Sequence, residues 1–157
     1  MTRSEILAFI NANPVFYLAT SVNNQPFVRA MRIYRADDNG IIFNTSNKKS
    51  VCRHLLANPV TESCFCNEQD GVEVRIRGKA VPVTDPDMRA AIVADAPVLA
   101  PHILDDGPGG LAIFRIEDAR AKVWKMDEAF VLRALANAQV CSVWMALYEG
   151  TAGGPAE

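Results

Sequence analysis

The spacing of apolar residues changes period several times along this chain, and each change marks an element. Residues 3–13 carry Ile6, Leu7, Phe9 and Ile10 on one helical stripe. Asn13-Pro14 stops that helix, because the residue before a proline avoids helical angles. The period then falls to two in VFYLATS (15–21), and the turn residues VNNQ separate this strand from PFVRAMRIYR (26–35). In ADDNG the Asp-Asn-Gly run supplies the positive-φ positions of a tight hairpin leading into IIFNT (41–45). Residues 48–58 return to helical spacing, with Val51, Cys52, Leu55 and Leu56 on one face and Asn58-Pro59 as the stop.

Alternation resumes in VTESCFC (60–66), turns at EQDG (68–71) and continues in VEVRIRGKAVPV (72–83). Gly78 predicts a bulge or bend there, and Pro82 a sheet edge. Thr84-Asp85-Pro86 opens a helix with a capping residue and an early proline, running to about Ala94. LAIFRI (111–116) and ARAKVWKM (119–126) are two further strands, and FVLRALANA begins a helix-like stretch. Seven short strands joined mainly by hairpins, with helices at the periphery, predict a mainly β protein. A closed antiparallel barrel hides the strand edges; a seven-strand sandwich is the competing architecture. With no internal repeat or linker, residues 1–150 form one domain in this reading, and 151–157 a flexible tail.

Composition narrows the function. A chain of 157 residues, half of them hydrophobic and 22% charged, has material for a core without staples. A net charge of −2 offers no electrostatic footprint for nucleic acid. No apolar run approaches membrane-helix length, and MTRSEILAF lacks the layout of a secretory signal, so the expectation is a cytoplasmic protein. Cys52, Cys64, Cys66 and Cys141 form no metal pattern: the only close pair is C-x-C, which faces one side of a strand and coordinates an ion only with outside help. No metal is expected.

The chemistry concentrates where strand 41–45 meets the following helix. Thr45, Ser46, Asn47, Lys48, Lys49 and Ser50 lie there in sequence. The first turn of a helix exposes unpaired N–H groups and the positive end of the dipole, so two lysines are electrostatically misplaced unless an anion joins them. Hydroxyls, N–H groups and ammoniums together describe a phosphate cradle; the plainer reading is a helix capped by Ser46 or Asn47 with solvated lysines. On the preceding strand, Arg29, Arg32 and Arg35 interrupt an apolar run. By alternation Arg29 and Arg35 share a face with Phe27, Met31 and Ile33, where a charge needs an acidic partner or a ligand phosphate. The hairpin is expected to bring Arg29 close to Thr45 and Lys48.

Taken in order, Pro26-Phe27-Val28-Arg29, then Gly40-Ile41-Ile42-Phe43-Asn44-Thr45, then Asn47-Lys48-Lys49-Ser50 resemble the pyridoxamine 5′-phosphate oxidase-like flavin-binding proteins. Val74-Arg75-Ile76-Arg77-Gly78 is similar to that family's Val-Arg-x-x-Gly strand, and Val123-Trp124 to its Phe-Trp pair. The likeness covers roughly residues 4–126 and is nearer to a small bacterial branch than to the oxidase itself. It implies a split antiparallel β-barrel and a homodimer holding FMN at the interface. Carried over by position, Arg29, Lys48 and Lys49 would hold the FMN phosphate, with Thr45 and its neighbours Asn44 and Ser46. Ala30, Met31 and Arg32 would run beside the isoalloxazine ring through their backbone. Glu73 stands where the oxidases have a glutamine near the ring, although a carboxylate cannot donate the amide hydrogen bond. Trp124 stands where they have a tryptophan from the partner subunit; it serves equally as a core or interface filler.

The departures matter too. Tyr34 replaces a phosphate-binding lysine, and the spacing from Thr45 to Lys48 is two residues shorter than in the oxidase. After Trp124 the chain continues Lys125-Met126-Asp127-Glu128, without the Arg-x-His arrangement that orients pyridoxine phosphate. The expectation is therefore an FMN-dependent oxidoreductase acting on another small molecule. The alternative is a non-catalytic flavin- or heme-binding sensory barrel, in which His54 or His102 would be the axial ligand.

Overall fold

The structure, a computed structural model, describes residues 1–96 and 110–126. In chain order the elements are α1 (Arg3–Ala12), β1 (Val15–Val22), β2 (Gln25–Asp37), β3 (Gly40–Ser46), α2 (Ser50–Ala57), β4 (Val60–Asn67), β5 (Val72–Pro82), α3 (Pro86–Asp95) and β6 (Leu111–Lys125). The strands close into an antiparallel barrel in the order β1-β2-β3-β6-β5-β4. Met1–Trp124 forms one compact unit. The end of the single domain at residue 150, the tail, His102 and Cys141 lie outside the described residues.

Local chemistry sets the element ends. Thr2 and Glu5 form a reciprocal capping box on α1: the Glu5 N–H donates to Thr2 Oγ1 at 3.3 Å and the Thr2 N–H to Glu5 Oε2 at 2.6 Å. Asn23 and Asn24 turn β1 into β2 with φ of 51° and 63°, the paired left-handed positions that match the twist of a two-residue hairpin. The ADDNG turn works differently from expectation. Only Gly40 takes a positive φ, 116°, while Asn39 is held by its N–H donating to Asp37 Oδ1 at 2.8 Å. Asp85 caps α3 by accepting from the Asp87 N–H at 2.9 Å.

Two sequence expectations change. Segments 111–116 and 119–126 are one strand, β6, which runs through Asp118 at a φ of 52°. On β2 the register shifts between Ile33, opposite Phe43, and Arg35, opposite Ile42. Tyr34 is the extra residue, so alternation reverses there: Ala36 turns inward and is buried, whereas Arg35 faces outward to an ion pair with Asp37 at 3.1 Å. Arg35 consequently does not share the face of Ile33.

Phe16, Phe43, Phe65 and Phe114, contributed by β1, β3, β4 and β6, are fully buried. Their rings meet as pairs with centroids 5.0 Å apart (Phe16 and Phe65) and 5.7 Å apart (Phe16 and Phe43, Phe43 and Phe114). Ile10 of α1 and Val51, Cys52 and Leu55 of α2 extend this core. On the other side of the β3–β6 ladder, Ile92 of α3 packs with Ile42, Leu111 and Ile113, and the Tyr34 hydroxyl donates to Asp95 Oδ2 at 2.5 Å.

Gly78 serves close packing. A Cβ there would lie 2.6 Å from the Glu117 carbonyl oxygen and 2.6 Å from Ile116 Cγ2. Gly78→Ala should therefore lower stability by about 1–3 kcal/mol, the usual cost of overpacking. Relief of glycine's backbone entropy alone would instead raise stability, by about 0.5–1 kcal/mol. The shift of the urea midpoint gives the sign directly.

Candidate functional site

Arg29 lies on β2 opposite Leu18 of β1, on the face that α2 covers. Its Nη1 donates to Thr20 Oγ1 at 2.7 Å and, weakly, to the Leu18 carbonyl at 3.5 Å. Its Nη2 lies 3.4 Å from His54 Nδ1, which is also 3.4 Å from Thr20 Oγ1. A guanidinium only donates, so Nδ1 is the acceptor and the ring proton belongs on Nε2. The Phe27 ring covers the imidazole with centroids 4.3 Å apart. Among the described residues no carboxylate pairs with Arg29, and burial lowers its pKa from the ordinary arginine value. A half-buried cation with only neutral partners is the electrostatic signature of this region.

Among the described residues, no hydrogen bond joins Arg29 to Thr45. The first part of β2 pairs with β1, and the β2–β3 ladder begins only at Ile33 and Phe43. Arg29 therefore bonds to β1 and to the last turn of α2. Thr45 is buried near the end of β3, opposite Ala112, with Asn44 opposite Ile113 and Ser46 opposite Leu111. Helix α2 starts at Ser50 with Lys49 as its N-cap residue, and no side chain caps it. The Lys49 N–H donates to the Ser46 carbonyl at 3.1 Å and the Lys48 N–H to Ser46 Oγ at 3.3 Å. Both lysines are exposed beside this uncapped end. Ser46 thus orders the turn rather than capping the helix.

Ala30, Met31 and Arg32 pair with Tyr17, Phe16 and Val15. Ala30 and Arg32 face outward, whereas Met31 packs against the core. Trp124 is 44% exposed, so it does not fill this chain's core. Val15, Tyr17 and Val28 are also large exposed apolar side chains, at 51%, 53% and 67%, on the outer side of the β1–β2 ladder.

Glu73 belongs to a group that no linear motif displays. The turn after β4 sets Glu73 opposite Cys66 and Arg75 opposite Cys64. Cys64 and Cys66 face one side, with their Sγ atoms 3.5 Å apart, and Arg75 Nε lies 2.9 Å from Glu73 Oε1. Burial, then Cys66 and Glu73, push the Cys64 thiol up to about 12. The cross-strand carboxylate is the outside help that the C-x-C pair lacked in sequence, and the EQDG turn was the signal that fixes its register. His54 was likewise visible only as an isolated residue until the fold set it beside Arg29.

The pattern of the pyridoxamine 5′-phosphate oxidase family matches residues 2–125. The chain belongs to that family. No curated protein is a significant match. Among solved structures, a NimC/NimA family protein from Clostridium acetobutylicum superposes with a TM-score of 0.68 at 21% identity, covering 79% of this chain and 85% of that one. PhzG from Burkholderia lata, solved with tetrahydrophenazine-1-carboxylic acid, gives 0.60 at 18% identity over 80% of this chain and 79% of its own. An FAD-binding protein from Mesorhizobium loti gives 0.58 at 18% identity, over 80% and 96%. These likenesses show the shared split-barrel fold. Among the described residues, no helix of this family member is long and apolar enough to cross a membrane.

The Arg29 arrangement predicts a measurable coupling. Thr20→Val keeps the shape but removes the 2.7 Å acceptor, leaving the half-buried guanidinium short of a partner. Stability should fall by about 1–3 kcal/mol. Chemical denaturation of the ligand-free protein checks this, and an unchanged midpoint would mean that water replaces the hydroxyl.

Proposed function

We propose that this chain binds FMN and acts as a flavin-dependent oxidoreductase on a small molecule other than pyridoxine phosphate. The observation that carries the reading is Arg29, a half-buried guanidinium without a carboxylate partner among the described residues. The uncapped first turn of α2, flanked by Lys48 and Lys49, fits the same chemistry. Ser50 and His54 are one turn apart on α2, about 6 Å along the axis. The two lysines put positive charge at the first turn of α2, where an anion is favoured, and Arg29 puts it at the last turn, where a cation suits the helix dipole. Membership of the family and the FAD-binding neighbour support a flavin as that ligand.

In this assignment Lys48, Lys49 and the N–H groups of α2 bind the phosphate, and Arg29 adds charge from below. Thr45, with Asn44 and Ser46, shapes the strand end beneath it. The backbone of Ala30, Met31 and Arg32 runs beside the ring. When bound, the isoalloxazine supplies the hydride and electron chemistry, while the chain supplies binding, electronics and access. Heme ligation by His54 is the weaker reading, because Nδ1 accepts from Arg29, which leaves the ring proton on Nε2, and Phe27 covers the ring. We further propose a homodimer, with the apolar outer face of β1 and β2 and the exposed Trp124 as its contact surface.

FMN titrated into the purified protein should bind with a shifted flavin spectrum. Lys48→Ala/Lys49→Ala should weaken binding by more than about tenfold, since each charge-assisted hydrogen bond contributes ~1.5–3 kcal/mol. Equal affinity in the double variant would remove the lysines from the site, and a Soret band instead of flavin bands would favour heme. Sedimentation equilibrium at micromolar protein should give twice the chain mass. A monomer there would exclude an obligate interface, which buries roughly 2,000 Å² or more.

A further inference from the structure

The cluster of Cys64, Cys66 and Glu73 on the outer side of β4 and β5 has no part in the phosphate site. One ligand atom from each residue lies within 4.8 Å of the other two. In a tetrahedral zinc site, Zn–S bonds of about 2.3 Å set two sulfurs about 3.8 Å apart, and a carboxylate oxygen about 3.6 Å from each sulfur. The sulfur separation here is 3.5 Å. Closing the pair as a disulfide is a poorer fit. Residues i and i+2 of a strand are about 6.6 Å apart with parallel Cβ directions, whereas a disulfide wants Cβ atoms about 3.8 Å apart. Closure would buckle β4 out of ladders with both β1 and β5.

The surroundings suit a metal. Arg75 Nε forms an ion pair with Glu73 Oε1 at 2.9 Å from outside the ligand set, an electrostatic contact that holds the carboxylate on this side of the sheet. Cys66 is exposed, which gives an ion its entry path, while Cys64 and Glu73 are half-buried. Two soft sulfurs and one oxygen select a d¹⁰ ion of borderline softness over a hard cation such as magnesium.

We propose that Cys64, Cys66 and Glu73 bind one Zn²⁺ through two thiolates and a carboxylate oxygen, leaving the fourth position to water. Binding releases the two thiol protons to solvent and changes no oxidation state. The cluster rests on its own three ligand atoms and does not depend on FMN binding.

The test is a titration of Co²⁺, a tetrahedral reporter for zinc, into the purified reduced protein, read as difference spectra. Sulfur-to-cobalt charge transfer and strong visible ligand-field bands should saturate at one ion per chain and disappear on adding Zn²⁺. Cys66→Ser and Cys64→Ser should abolish this signal, while Cys52→Ser should retain it. Cys66 is at the surface, so its variant keeps the result readable even if Cys64→Ser unfolds. Arg75→Ala should weaken cobalt binding by about tenfold, the cost of losing an outer contact, and Glu73→Gln by more. The proposal is overturned by absence of the charge-transfer band or by bands that survive in Cys66→Ser. Unchanged affinity in Glu73→Gln would do the same, as would a mass showing Cys64 and Cys66 joined as a disulfide in the protein as purified.

Discussion

Strand β2 belongs to two ladders, and much of the site depends on how it is shared between them. Its first part is bonded to β1, its last part to β3, and the register shift at Tyr34 lies where the second ladder begins. That shift turns Ala36 into the core and Arg35 out to Asp37. It also sends the Tyr34 hydroxyl to Asp95 of α3. Arg29, on the β1-bonded part, is committed to Thr20 and His54, and its charge stays uncompensated by any carboxylate among the described residues. A barrel strand without the shift would carry Arg35 inward, where its charge would be expensive.

The four buried phenylalanines make the barrel a rigid frame on which these polar groups are mounted. Interiors packed at crystal-like density have low compressibility and few voids into which a side chain can shift. Side chains attached to such strands therefore keep their relative positions, as a binding site requires. Gly78 shows how little slack remains, since even a methyl group there would run into the backbone of β6.

Polar groups were arranged by strand pairing more than by sequence proximity. Glu73 meets Cys64 and Cys66 through the antiparallel register of β4 and β5. Arg29 meets His54 because α2 lies against β1 and β2. In both cases the partners differ from those that the linear motifs suggest, and the difference follows from hydrogen-bonded pairing rather than from any one residue's propensity.

The sequence by itself determined the local grammar: helices ending at Asn13-Pro14 and Asn58-Pro59, a capping residue before Pro86, a turn within VNNQ, and alternation marking the inward faces of β1, β4 and β5. These are readable because each rests on contacts within a few residues. Family motifs ordered along roughly residues 4–126 were readable for the same reason, and the family pattern matches residues 2–125. Tertiary structure alone decided that two predicted strands are the single β6, that Tyr34 is the extra residue in β2, and that Arg29 bonds to Thr20 and His54. It also decided that Glu73 completes a group with the C-x-C pair. A period-two pattern cannot show where a ladder changes partner, because a one-residue shift exchanges the two faces while leaving the composition of the strand intact.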